Sequence, residues 1–172
     1  MKIGVFSDSH DHLDNIRKVI HEFVTNKVDK IIHCGDMISP FIKRAMNELD
    51  AHVNIERIAV YGNNDGERAG LKTMLKGILE IKGDFHDFEC DGLLIAVIHG
   101  TDNRLLDALI ASKKYHLILC GHTHLLRNDL IDGVLVVNPG ETCGYLTGKA
   151  TYAIINLEKR PLTQENVQIL TM

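Results

Sequence analysis

The chain has no Trp and only 3 Pro among 172 residues. It also has no apolar run near the roughly 20 residues that a bilayer span requires. That excludes a helical membrane protein. The apolar start Met1–Phe6 is broken by Ser7, Asp8 and His10, so no secretion leader is expected and the expected location is cytoplasmic. The four Cys (Cys34, Cys90, Cys120, Cys143) form no CxxC pair. Free thiols in a reducing compartment are therefore expected, not a zinc knuckle or a redox motif. Nineteen Lys and Arg against 23 Asp and Glu give a net charge of −4. No basic stripe runs along the chain, which argues against a duplex nucleic-acid surface. Internal repeats, charge runs and long linkers are missing too, so one domain over residues 1–172 is expected. What is abundant is histidine, with 10.

Short Ile- and Val-rich runs recur at Lys2–Phe6, Lys30–His33, Ile58–Tyr61, Leu93–Ile98, Leu117–Cys120, Val134–Val137 and Tyr152–Leu157. Their length and β-branching predict buried strands. Helical periodicity lies between them, at His12–Asn26, Pro40–Leu49, Gly66–Ile78 and Asn103–Lys113. Ser39 is the expected cap of the second helix, with Pro40 at its first position. Thr101 or Asp102 is available to cap the fourth. In the second half, Asp91-Gly92 and Asp132-Gly133 each separate two apolar runs, which predicts antiparallel hairpins. Parallel βαβ units and hairpins together predict an α/β fold of two facing mixed sheets with helices outside.

The polar residues that follow these strands carry the functional signal. Ser7-Asp8-Ser9-His10, Cys34-Gly35-Asp36, Gly62-Asn63-Asn64-Asp65, His99-Gly100 and Gly121-His122-Thr123-His124 each close a predicted strand. Open α/β sheets place their sites at such carboxyl ends. If the chain stays extended there, Asp8 with His10 and His122 with His124 point the same way at i and i+2. Asp8, His10, Asp36, Asn63, His99, His122 and His124 make seven O and N donors with no thiolate. Seven donors exceed one tetrahedral ion and suit two ions sharing a carboxylate. The donor types suit manganese, iron, cobalt, nickel or zinc. A lone Asp or His after a strand is ordinarily a turn residue; the agreement of five strand ends separates the two readings.

This ordered set resembles that of the calcineurin-like metallophosphoesterases. Gly62–Arg68 and Asn138–Gly148 narrow the likeness to small single-domain phosphodiesterases of the YfcE type and their archaeal manganese-dependent relatives. The resemblance runs from Met1 to about Gly148. It implies a four-layer αββα sandwich with two divalent metal ions, manganese foremost, at the strand ends. It implies Asp8, His10 and His124 on one ion, Asn63, His99 and His122 on the other, and Asp36 bridging. A bridging hydroxide would attack the phosphorus of a small phosphate ester. Many members carry a His directly after the motif Asn; here Asn64 stands there. Asn64 can donate a hydrogen bond to substrate or transition state but cannot act as a general acid. Diesters with good leaving groups are thus favoured.

Other residues receive plainer readings. His33 is expected to be a hydrogen-bonded core histidine, His12 a cap, and Asp65 the anchor of the Gly62–Asp65 turn. His21, His52, His86 and His116 are expected in solvent, and Cys143 as a small buried thiol. Glu141 and Arg68 are candidates for substrate contact. A homodimer is the ordinary expectation for an enzyme of this size. The alternative function is a non-catalytic protein-binding scaffold of the same fold, like a retromer subunit. Completeness of the seven donors favours the enzyme.

Overall fold

The computed structural model describes residues 1–47 and 55–172. Its elements in chain order are β1 (Lys2–Phe6), α1 (Leu13–Thr25), β2 (Lys30–His33), α2 (Ile42–Met46), β3 (Glu56–Ala59), α3 (Arg68–Met74), β4 (Glu80–Ile81), β5 (Phe85–Cys90), β6 (Leu93–Ile98), α4 (Asn103–Ala111), β7 (Leu117–Leu119), β8 (Leu126–Ile131), β9 (Val134–Pro139), β10 (Thr151–Asn156) and β11 (Val167–Thr171). The first sheet runs β11-β10-β1-β2-β3-β4 and the second β5-β6-β7-β9-β8. Strands β1 to β4 pair in parallel, and β10 and β11 add to that sheet antiparallel. In the second sheet β6, β7 and β9 are parallel, and β5–β6 and β8–β9 are hairpins. Both hairpins turn on the Asp-Gly pairs, with φ of 55° and 71° at Asp91 and Gly92 and 49° and 89° at Asp132 and Gly133.

Side-chain alternation assigns each strand residue to a layer. Ile3 and Val5 of β1 join Ile95, Val97, Leu117 and Leu119 in a core between the sheets. Phe6 turns the other way, to Ile16, Val19 and Phe23 of α1 and Leu71 of α3. On the far side, Ala96 and Ile118 pack against Leu106 and Ile110 of α4. Helices, sheet, sheet and helix thus form the four layers expected. Each apolar side chain buried in these seams contributes roughly 1.5–3 kcal/mol.

Several boundaries differ from expectation. Strand β3 is Glu56–Ala59, earlier than Ile58–Tyr61. Beyond Ala59 the chain leaves the ladder, and Tyr61 N–H donates to Gly83 O instead. Helix α2 covers only Ile42–Met46 of the expected Pro40–Leu49, whose last two positions, with His52, lie outside the described residues. Its cap is Phe41, not Ser39. The Ser39 hydroxyl accepts from Phe41 N–H at 3.3 Å and donates to Asp11 Oδ2 at 2.6 Å, so it ties the turn to the loop after β1. Helix α3 is Arg68–Met74 and falls short of Ile78, the chain turning at Gly77 with φ of 79°. Strands β4 and β11 had no expectation; β4 has two residues, too few to show a period. His12 does cap α1, accepting from Asn15 N–H at 3.3 Å, and Asp102 caps α4.

Candidate metal centre

Five loops meet at the carboxyl ends of β1, β2, β3, β6 and β7, and backbone hydrogen bonds continue the sheets into them. Asp8 N–H donates to Gly35 O at 3.0 Å and His10 N–H to Asp36 O at 3.1 Å. Gly121 N–H donates to His99 O at 2.9 Å. The loop after β9 joins through Thr142 N–H to Ser7 O and Cys143 N–H to Asp8 O. Close approach requires two glycines. A Cβ on Gly62 would stand 2.5 Å from the Asp36 nitrogen, and one on Gly121 2.7 Å from Asp8 Oδ2; neither fits.

The backbone is not extended at the donors. Asp8, His10, Asp36, His122 and His124 all have left-handed φ, between 42° and 69°. Left-handed turns at single residues, not the expected i, i+2 pleat of an extended strand, therefore aim these side chains. His122 and His124 also diverge. The His124 ring lies 5.2 Å from that of His10, and the His122 ring 5.2 Å from that of His99. Left-handed backbone costs roughly 1–2 kcal/mol per non-glycine residue, so the loop lattice holds it in place.

Asp36 lies at the junction. Its Oδ2 is 3.3 Å from His99 Nε2 and 3.7 Å from His10 Nε2. Asn64 donates to both its oxygens, from N–H at 2.8 Å and from Nδ2 at 2.7 Å. Burial works to raise the Asp36 pKa, but the His99 and Asn64 interactions overcome it and hold the carboxyl well below the usual range. Asp8 is wholly buried, and burial pushes its pKa up. Its Oδ2 accepts from His122 N–H at 3.0 Å, while Oδ1, 3.4 Å from His124 Nε2, has no donor. His10 Nε2 is likewise buried without a partner. Asn63 Oδ1 lies 3.1 Å from His99 Nε2.

Two imidazoles are oriented from behind. His99 Nδ1 lies 2.7 Å from Cys34 O, a contact only the protonated nitrogen can make, so Nε2 is the nitrogen that faces the site. His124 Nδ1 meets Glu141 Oε2 at 2.7 Å, with the same consequence. Glu141 is fully buried, so the expectation that it touches substrate is corrected. Burial would raise its pKa, but His124 and the Leu146 and Thr147 donors hold it at about 2. Nothing in the local sequence signalled this partnership. Orphaned, buried, lone-pair-bearing atoms crowded together fit cations: Asp8, His10 and Asp36 offer ligand atoms within 4.8 Å of one another.

The remaining polar residues divide clearly. Asp65 anchors its turn as expected, accepting Gly62 N–H at 2.8 Å. Its reach is longer, to Asp36 N–H at 3.1 Å and Ile38 N–H at 2.7 Å. Arg68 pairs with Asp84 at 2.7 Å and stacks on Tyr61. The Cys143 thiol, pushed up to about 12 by burial, donates to Glu141 at 3.2 Å. His21 and His116 are exposed; His86 is half-buried against Phe88.

His33 is wholly buried, its Nδ1 accepting Gly35 N–H at 3.0 Å and its Nε2 2.8 Å from Ser9 Oγ. Burial lowers its pKa to about 3. Between that value and the ordinary 6.5 the unfolded chain binds a proton that the folded chain refuses. Stability is thus complete above pH 6.5 and falls below it, by roughly 1.4 kcal/mol per pH unit from this group. Urea melts in chelator between pH 7 and 4.5 should show His33→Asn losing stability less steeply with acid than wild type. Parallel slopes would refute this reading.

Residues 1–160 match the model of the calcineurin-like phosphoesterase superfamily domain. Phosphodiesterase MJ0936 of Methanocaldococcus jannaschii is 47% identical over 162 residues, covering 93% of this chain and 95% of the relative. The solved structure of an archaeal phosphodiesterase covers both chains completely, with 43% identity and a TM-score of 0.88. Vacuolar protein sorting 29 from Cryptosporidium parvum shares the fold at 16% identity and a TM-score of 0.65, over 99% of this chain and 96% of that one.

Proposed function

The chain belongs to the calcineurin-like phosphoesterase superfamily, and from that premise we propose that this metallophosphoesterase is a phosphodiesterase with a two-metal centre. Asp8, His10 and His124 would hold one ion, Asn63, His99 and His122 the other, and Asp36 both. The observation that carries this reading is the placement of Asp36 Oδ2 between His10 and His99, 3.7 Å and 3.3 Å from their Nε2 atoms. When bound, a pair of divalent ions activates water as nucleophile and neutralises charge on the phosphoryl oxygens.

The chain's own residues do the rest. Cys34 O and Glu141 hold Nδ1 of His99 and of His124, so the Nε2 atom of each ring faces inward in a fixed orientation. Asn64 positions Asp36 and offers an N–H donor to the phosphoryl group. It carries no titrating proton for the leaving oxygen, so substrates that depart as stable anions are favoured. The O and N donors support manganese, with nickel, zinc, iron and cobalt as competitors. Cys143, a neutral thiol turned to Glu141, adds no thiolate to the set. The presence of all seven donor residues supports the enzyme over the scaffold. The reading includes one domain, a cytosolic location and a small phosphate ester as substrate. Among the described residues no helix is long and apolar enough to cross a membrane.

The test is hydrolysis of bis-p-nitrophenyl phosphate by chelator-stripped protein, with manganese, nickel or zinc restored. Manganese should restore turnover to at least about 100-fold above the stripped control, since the ions supply nucleophile and charge neutralisation together. Equal rates with and without metal would refute the proposal.

A further inference from the structure

A groove leaves the site on the His99 side. Its inner part, about 340 Å³, begins at Asn63, Gly62 and His99 and passes Thr101 to Phe85, Ile98 and Leu105. An outer part of about 390 Å³ shares Phe85, Ile98 and Leu105 and ends at Leu109 and Tyr115. The groove lies between edge strand β5 and helix α4. Volumes of this size suit a small organic group.

The lining states what that group is. Phe85 is 39% exposed and Leu105 57%. Both side chains line a channel whose inner part also includes two proposed metal ligands, Asn63 and His99. The Phe85 ring meets Tyr115 edge-on at 6.3 Å, so the far end is aromatic. Charge is scarce and already matched. Arg68 is the one cation among the described residues lining the inner part, and Asp84 pairs with it at 2.7 Å. Asp102 is held by Arg104 at 2.7 Å. A second phosphate or a carboxylate would find no free cation here. A flat uncharged group would cover exposed apolar area and meet ring faces and edges.

We infer that this groove is the subsite for one ester arm of the substrate, an uncharged aromatic group, and that Phe85 and Leu105 determine specificity for it. This rests on the phosphodiesterase reading, because the phosphoryl group must sit beside His99 and Asn63 for its arm to enter. The substrate class is therefore a phosphate ester whose charge is confined to the reacting phosphoryl group and which carries at least one aromatic arm.

Phosphonates test this without turnover, since their carbon–phosphorus bond is not a substrate bond. Manganese-loaded protein is titrated calorimetrically with phenylphosphonate and with methylphosphonate. Wild type should bind the phenyl compound at least about tenfold more tightly, the fold-change expected for burying a ring. Leu105→Ser and Phe85→Ser each change an exposed side chain, and unchanged melting temperatures will confirm folding. Each should shrink the phenyl advantage, and the double variant should bring it below about threefold. Binding of both compounds with equal affinity, or a phenyl advantage untouched by the substitutions, overturns the inference and leaves the phosphodiesterase reading standing. Failure of both phosphonates to bind overturns the two together.

Discussion

Asp36→Asn should lower kcat/KM for bis-p-nitrophenyl phosphate in manganese buffer by about 10³-fold or more. Residues that merely orient metal ligands cost about 10–100-fold when removed, and Asp36 would be shared by both ions. The substitution is nearly isosteric at a side chain only 1% exposed. The lost property is therefore charge and lone pairs, not packing. An amide nitrogen in place of Oδ2 would also turn donors toward Asn64 Nδ2 and the His99 and His10 rings, where the structure has an acceptor. Bound manganese, measured by elemental analysis, should fall below two ions per chain. Asn64→Ala, which removes one donor to Asp36 and no proposed ligand, should lose only about 10–100-fold. Activity of Asp36→Asn within tenfold of wild type would remove Asp36 from the centre.

The fold was legible because its signals are local and repeated. Ile- and Val-rich runs, two Asp-Gly turns and amphipathic helices each carry their own periodicity, and the four layers follow from combining them. The meeting of the polar segments was legible for a different reason: five of them directly follow strands, and the strand ends share one edge of the fold. The conformation at that edge was not legible. Left-handed backbone at five of the donors is imposed by the lattice of loop-to-loop bonds, and such bonds join residues far apart in sequence. Glu141 shows the same limit. Its carboxylate reads locally as an open-loop acid, and only the approach of the loop after β9 makes it the partner of His124. The groove beside His99 was equally hidden, because Phe85 and Leu105 come from different elements.

Asp65→Ala should unfold at least about 6 °C below wild type and lose activity as well. Asp65 is 2% exposed, and its two oxygens accept three backbone N–H groups, those of Asp36, Ile38 and Gly62. Alanine leaves all three donors in a buried loop junction. Each unsatisfied donor costs roughly 1–3 kcal/mol, so together roughly 3–9 kcal/mol follows. A chain of this length loses about 2–4 °C per kcal/mol. The damage is placed where it reaches the chemistry, because all three donors belong to the two loops that carry Asp36 and Asn63. A carboxylate is required, not an amide. Asn keeps one acceptor oxygen and sets its NH₂ against at least one backbone N–H, so Asp65→Asn should fall between wild type and alanine in melting temperature. If loop displacement is the cause, manganese affinity should fall with stability in the same order, and saturating metal should recover part of the rate. A melting temperature of Asp65→Ala within about 2 °C of wild type would show that water or a shifted backbone satisfies these donors, and that the two loops are held by other means.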